Sequence, residues 1–369
     1  MSSDNPHWTD EGTEPNDAYR QPHPPRRLET MSPQEAMDIH MARVREEGAN
    51  WTERSHKSRL SWWLQWCEMQ DIDDLTEVTG RDILQYRDWR RQQNGKDPED
   101  VPISAATLKT NLDTLRVYLK HAANANGVHP MLPDQIDPPT LCKDDHARDV
   151  HLDAERAETI LEHLRKYQYC SLTHIIAELL WHSGCRMGGI RALDVEDCEL
   201  GENPYLELVH RPDSDTPLKN KSDGERPVAI SDGIARLIDD WMDEQRPDGE
   251  DEYGREALLT TTHGRVSRNT IRTHIYAVTR PCTVGDCPHD RDPDECKANQ
   301  RMQWASQCPG SVSPHAVRRG ALTHWLDSDW QREHVSERAN VSERVLENHY
   351  DQRTEIRKME QRRDNLDRL

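Results

Sequence analysis

Near the C-terminus, three side chains have the types and the spacing for chemistry at a phosphate. In SPHAVRRGALTHWL, His315 and Arg318 stand at i and i+3, so an imidazole and a guanidinium project from one face of a helix. A guanidinium forks onto two phosphate oxygens. Farther on, ENHYDQRT carries Tyr350 in a polar setting that does not read as core, and a phenol there can act as a covalent nucleophile. A second arginine lies upstream in HSGCRMGGIRALDVEDC, where a glycine stops one helix and Arg186 opens the next. Its side chain can project from a helix N-terminus, whose backbone amides favour an anion. Arg191 competes with it for that role. Taken singly, each residue has a plain structural explanation: a surface or capping arginine, a helix pair, a packing tyrosine with a wet hydroxyl. Their combination carries the argument.

These residues need elements to hold them. Residues 1–30 are rich in Pro, Asn, Asp and Glu and read as a disordered tail. A helical domain follows over 31–126. SPQE at Ser32 supplies an N-cap, a proline at the first helical position and a glutamate at N3. The next helix carries Leu60, Trp63, Leu64 and Cys67 on one face, and a third begins at the capping box after Thr79 and includes Ile83 and Leu84. In the fourth, Leu108, Leu112, Leu115, Leu119 and Ala122 recur at helical spacing. Residues 127–150 are dense in Pro and Asp and read as an interdomain linker. The second domain, 151–369, opens with a helix capped by Asp153 and continues with one through Ile175, Ile176, Leu179 and Leu180 that ends near Gly184. Strand-like runs at 205–210 and 226–230 flank a polar turn containing Lys219 and Lys221, and helices are expected at 231–243 and 267–279. The fold class is mainly α with a small β-sheet.

With Arg186, the HAVRRG segment and HYDQRT on the page, the chain resembles the tyrosine recombinases, the phage-integrase family, and within it the Xer and integrase-like members. That resemblance implies an N-terminal helical core-binding (SAM-like) domain that clamps DNA and a C-terminal catalytic domain. It places Arg186 at the first arginine position, His315 and Arg318 at the H-x-x-R pair, and Tyr350 as nucleophile. KSDGERPVAI resembles the family's lysine, turn and strand pattern, which assigns the β-turn lysine to Lys221 with Lys219 in reserve. Where the family carries a second histidine or a tryptophan, RANVSERVLENHY offers Asn340 and Val341. Asn340 can hydrogen-bond a phosphate oxygen but cannot transfer a proton as imidazole does. Gly189 stands where an acidic residue commonly follows the first arginine. The implied activity is site-specific cleavage and rejoining of double-stranded DNA through a 3′-phosphotyrosyl link, by a homo-oligomer, a tetramer on two DNA sites. The chemistry needs no cofactor, because arginines and a histidine meet the developing charge. Two alternatives stay open: a degenerate DNA-binding relative, and a topoisomerase that reseals the original strand.

Composition bounds the setting. A chain of 369 residues accommodates two domains. Without a membrane-length apolar run or a signal segment, a cytoplasmic protein is expected. The net charge of −20 argues on its own against a polyanionic partner. Scarce lysine beside arginine, absent phenylalanine and abundant Asp and Glu suggest instead a salt-rich, haloarchaeal cytoplasm, in which the overall sign says little about the partner. Nine cysteines suit thiols or metal ligands there. Cys282, Cys287, Cys296 and Cys308 fall in one segment, 282–308, with His289 among them. They suit either a structural zinc that braces the following helix or reduced, unliganded thiols, since C-x-x-C pairs are lacking.

Overall fold

The structure, a computed structural model, describes residues 27–47, 50–93, 102–141, 150–351 and 353–363. Apart from residues 27–30, the expected tail lies outside the described residues, as do residues 142–149 of the expected linker, Cys142 among them. The chain divides into two compact units, Met1–Thr140 and Leu141–Leu369.

In the first unit, helices span Pro33–Glu47, Asn50–Met69, Gly80–Gln92 and Ala105–Asn124. Their starts are set by side-chain acceptors for otherwise unpaired amides. Ser32 Oγ accepts from Glu35 N at 3.1 Å, Ser104 Oγ accepts from Thr107 N at 3.2 Å, and Thr79 with Asp82 closes a reciprocal capping box. The leucine stripe of the fourth helix is buried throughout. In the third helix Ile83 is buried and Leu84 is 54% exposed, and Tyr86, three residues from Ile83, packs against Trp63. Neighbouring positions on a helix point in different directions, so Ile83 and Leu84 cannot share a face. Residues 127–136 also depart from expectation. Val128, Leu132 and Ile136 are buried in the core of this unit, with a 3-10 turn at Pro133–Gln135. Proline and aspartate end the helix there without ending burial.

The second unit packs helices Ala154–Tyr167, Leu172–Ser183, Asp232–Asp240, Arg268–Val278 and Pro314–Asp327 around one apolar core. Strands β1 (Cys198–Glu199), β2 (Tyr205–Leu208) and β3 (Arg226–Ala229) form an antiparallel sheet in the order β1-β2-β3. Leu206 faces Val228 across it, both buried. The β2–β3 connection carries Lys219 and Lys221. A two-residue ladder, Thr260–Thr261 with Gly264–Arg265, was not expected, because strands so short leave no alternation to read. The cysteine segment holds 3-10 turns at Pro281–Thr283 and Met302–Gln307 and a short helix, Lys297–Gln300. Among the described residues no helix is long and apolar enough to cross a membrane.

Two glycines shape the ground on which the site stands. Gly184 ends its helix at φ +58, a conformation favourable only without a Cβ, and a Cβ there would lie 2.4 Å from Trp325. Gly320 lets the helix Pro314–Asp327 approach the backbone of Leu152, whose oxygen would lie 1.8 Å from an added Cβ.

Candidate active site

The helix Pro314–Asp327 starts at Ser313, whose Oγ accepts from Ala316 N at 3.3 Å, with Pro314 at the first position. This start places His315 at the exposed rim and Arg318, one turn on, inside at 1% exposure. Tyr350 comes to the same place from the end of the helix Glu343–His349. Thr323 Oγ1 donates to the Tyr350 carbonyl at 2.6 Å, which ties the tyrosine backbone to the H-x-x-R helix. The Arg318 guanidinium lies over the Tyr350 ring at 5.2 Å from its centroid, and the His315 ring meets it edge-on at 5.5 Å. The polar, non-core setting expected for Tyr350 is corrected: the residue is 4% exposed and packs with Leu322, Leu346 and Val341. Its sequence neighbour Asp351 is buried as well, at 8% exposure.

The arginines share one anchor. The helix Arg332–Ala339 ends at Asn340, a left-handed residue at φ 48, ψ 63. Its last carbonyls have no partner within the helix, and three guanidiniums take them in succession. Arg226 Nε donates to Arg338 O at 2.8 Å, Arg318 Nη2 to Ala339 O at 2.9 Å, and Arg186 Nη1 to Asn340 O at 3.1 Å. Cations belong at this negative end of a helix dipole. Arg318 Nη1 also donates to Gly184 O, and Arg338 Nη2 to His182 O at 3.1 Å. Among the described residues none of Arg186, Arg226, Arg318 and Arg338 has a carboxylate within ion-pair distance. Burial, then the neighbouring Arg318, pulls the Arg186 pKa down, while the Tyr350 phenol pushes it up. Burial likewise lowers Arg226, with Arg318 adding. Arg318 Nε is buried without a hydrogen-bond partner among the described residues. The arrangement is a concentration of positive charge, buffered only by carbonyl dipoles, around a phenol. It suits an oxyanion.

Arg186 does not use the helix start assigned to it. It caps Met187–Ala192, six residues long, and turns instead to the carbonyl of Asn340. Arg191, the competitor, belongs elsewhere: its Nη2 pairs with Asp215 at 3.0 Å and its Nε donates to Val266 O at 3.1 Å. Lys219 and Lys221 are both exposed, and among the described residues neither side chain makes a hydrogen bond or ion pair, while Lys221 N donates to Leu218 O at 3.1 Å. Lys221 has φ 54. Its turn is joined to the arginines through Asn340, whose Nδ2 donates to Asp223 O at 2.6 Å and whose Oδ1 accepts from Asn220 Nδ2. Val341, the other candidate for the place of a second histidine, is buried and apolar and supplies no polar side chain. Arg226 and Arg338 escaped sequence reasoning. The glutamate-arginine pair that opens β3 was the one available signal, and it was used to place the lysine.

The cysteine segment remains separate from this site. Among the described residues no group of three or more His, Cys, Asp or Glu side chains is placed to hold a metal ion. Cys282, Cys287, Cys296 and Cys308 are free thiols, and the Cys282 thiol is pushed up by burial, with Cys308 and Cys287 adding to the effect of burial against Arg280. The Nε2 of His289 is buried, next to Gly310, with no hydrogen-bond partner among the described residues.

No family model matches the chain, and no curated protein matches it. Solved structures do resemble it. A lambda integrase dimer bound to a COC′ core site aligns at 12% identity over 88% of this chain and 79% of that one, with a TM-score of 0.58. The Tn1549 transposon integrase in complex with transposon right end DNA aligns at 14% identity over 92% and 99%, TM-score 0.57. A lambda integrase tetramer bound to a Holliday junction aligns at 12% identity over 85% and 78%, TM-score 0.55. Likeness at such identities is likeness of fold.

Proposed function

The chain has the fold of the tyrosine recombinases, and from that premise we propose that it cuts and rejoins double-stranded DNA at specific sites through a 3′-phosphotyrosyl intermediate. One observation carries the reading. The Tyr350 phenol sits between Arg318 and His315, beside Arg186, in a group of arginines without carboxylate partners among the described residues. A structural tyrosine needs no such company.

In the reaction, Tyr350 Oη attacks the scissile phosphorus. The P–Oη bond forms as the P–O5′ bond breaks, leaving phosphotyrosine on the 3′ side and a 5′-hydroxyl. Arg186 and Arg318 meet the charge on the non-bridging oxygens, held by carbonyls and needing no reorganisation. His315, at the rim of the phenol, takes its proton. Lys221 protonates the departing 5′-oxygen. A second 5′-hydroxyl then reverses the steps, so ester replaces ester and no nucleotide is consumed. Asn340 has its amide engaged by the lysine turn rather than free for phosphate.

The DNA partner and a homo-oligomeric working form, a tetramer on two duplexes, are part of the same reading, supported by likeness to integrase dimers and tetramers on DNA. Two readings of the 282–308 loop stand outside the chemistry: a structural zinc, supported by the donor chemistry of Cys282, Cys287, Cys296 and Cys308, and reduced, unliganded thiols, supported by the lack, among the described residues, of three donors placed around one point.

The test is covalent trapping on a pool of nicked duplexes of randomised sequence. The expected result is a denaturant-resistant protein–DNA adduct from the native chain and none from Tyr350→Phe. A mobility shift without adduct identifies a binding-only relative, and supercoil relaxation without strand exchange identifies a topoisomerase. Either result overturns the proposal.

A further inference from the structure

We infer that Asn340 is a positioning residue that sets Lys221 against the arginines, an inference that rests on the reaction proposed above. The two halves of Asn340 act in different directions. Its left-handed backbone ends the helix Arg332–Ala339 and turns its carbonyl to Arg186 at 3.1 Å. Its side-chain amide reaches the other way, into the β2–β3 connection. There Oδ1 accepts from Asn220 Nδ2, and Nδ2 donates to Asp223 O at 2.6 Å. One residue therefore holds the first arginine and both flanks of Lys221.

Lys221 needs holding. It is exposed, its side chain has no partner among the described residues, and its φ of 54 is costly for a residue with a Cβ. An unsupported turn relaxes toward extended or right-handed backbone and carries the ammonium with it. The bond to Asp223 O pins the backbone after the strained residue and the bond to the Asn220 side chain ties down the residue before it, and they leave Lys219 outside the bracket. Asparagine suits this post because it tolerates left-handed backbone and offers both a donor and an acceptor. A histidine there would offer a proton; asparagine fixes the position of a neighbour's proton.

The experiment compares leaving groups, using a duplex selected from the randomised pool and the same duplex with sulfur replacing the 5′-bridging oxygen at the scissile phosphate. A thiolate departs without protonation, so a defect in delivering the Lys221 proton disappears on sulfur, whereas a defect in arginine placement or folding persists. Asn340→Gly keeps the left-handed backbone and removes the amide. Expected is a 10–100-fold slower adduct on oxygen, on the order of the lower part of the general-acid range, and a rate within a few-fold of the native chain on sulfur. Lys221→Ala should show the same pattern more strongly. Asn220→Ala, an exposed change that deletes one bond of the bracket, provides the second variant and should show it more weakly. Equal slowing of Asn340→Gly on both substrates, native speed on oxygen, or no sulfur rescue of Lys221→Ala overturns the inference. A native chain that forms no adduct on either substrate fails the parent reading instead, which separates the two.

Discussion

Two groups of arginines lie within the second unit, and they are balanced in different ways. Around Asp194, each guanidinium has a carboxylate. Arg255 Nε reaches Asp194 at 2.8 Å, Arg265 pairs with Asp194 and with Asp251 at 2.7 Å, and Arg211 grips Asp197 at 2.7 and 2.9 Å. Asp194 is 2% exposed. This network joins the segments at 194–197, 211–216 and 251–265, and its charges cancel internally. Around Tyr350, by contrast, Arg186, Arg226 and Arg318 donate to three successive carbonyls at one helix end, and among the described residues no carboxylate joins them. The residue type is the same and the burial comparable. Paired charge holds a fold together; charge met only by dipoles is available to a ligand. A formal net charge of −20 is silent on this distinction, because it is made locally.

The comparison can be broken from either side. Asp194→Ala should give the largest effect on the fold, because it leaves Arg255 and Arg265 without their shared buried partner. Loss of on the order of 3–5 kcal/mol, a Tm lower by roughly 10 °C, is expected in thermal melts. If the variant melts like the native chain, the network is not the scaffold described. Arg318→Lys keeps the charge and loses the fork, so adduct formation should fall on the order of 10²–10³-fold while Tm stays within about 2 °C. A stability loss as large as that of Asp194→Ala would erase the difference between the two groups. Inorganic phosphate should raise the native Tm, corresponding to about 1–3 kcal/mol near saturation. That gain should vanish in Arg186→Ala and persist in Arg191→Ala. The smallest effect concerns the cysteine loop. On the zinc reading, elemental analysis finds about one zinc per chain and its removal lowers Tm by a few degrees with Arg318 chemistry intact. Protein free of zinc that melts unchanged on chelation would remove the metal from the account.

Much of the scaffold was legible because helices announce themselves locally. The stripe from Leu108 to Ala122, the caps at Ser32, Thr79 and Asp153, and the stop at Gly184 all stand where the spacing puts them. The burial of the stretch through Val128, Leu132 and Ile136 was not legible, because which loop lies on the core depends on partners far along the chain. The site divides in the same way. His315, Arg318, Tyr350 and Arg186 carry motif context, and the structure brings them together. Arg226, Arg338 and the two-sided role of Asn340 had no such context. They are defined by carbonyls at one helix terminus and by a turn more than a hundred residues away, and no local pattern encodes such a meeting.

The most direct measurement is the identity of the residue that carries the DNA. Trapped adduct, digested with nuclease and protease and sequenced by tandem mass spectrometry, should place the residual nucleotide on Tyr350, with the modified peptide absent from Tyr350→Phe. A nucleotide found on any other tyrosine, or on a serine, with Tyr350 unmodified would contradict the account at its centre.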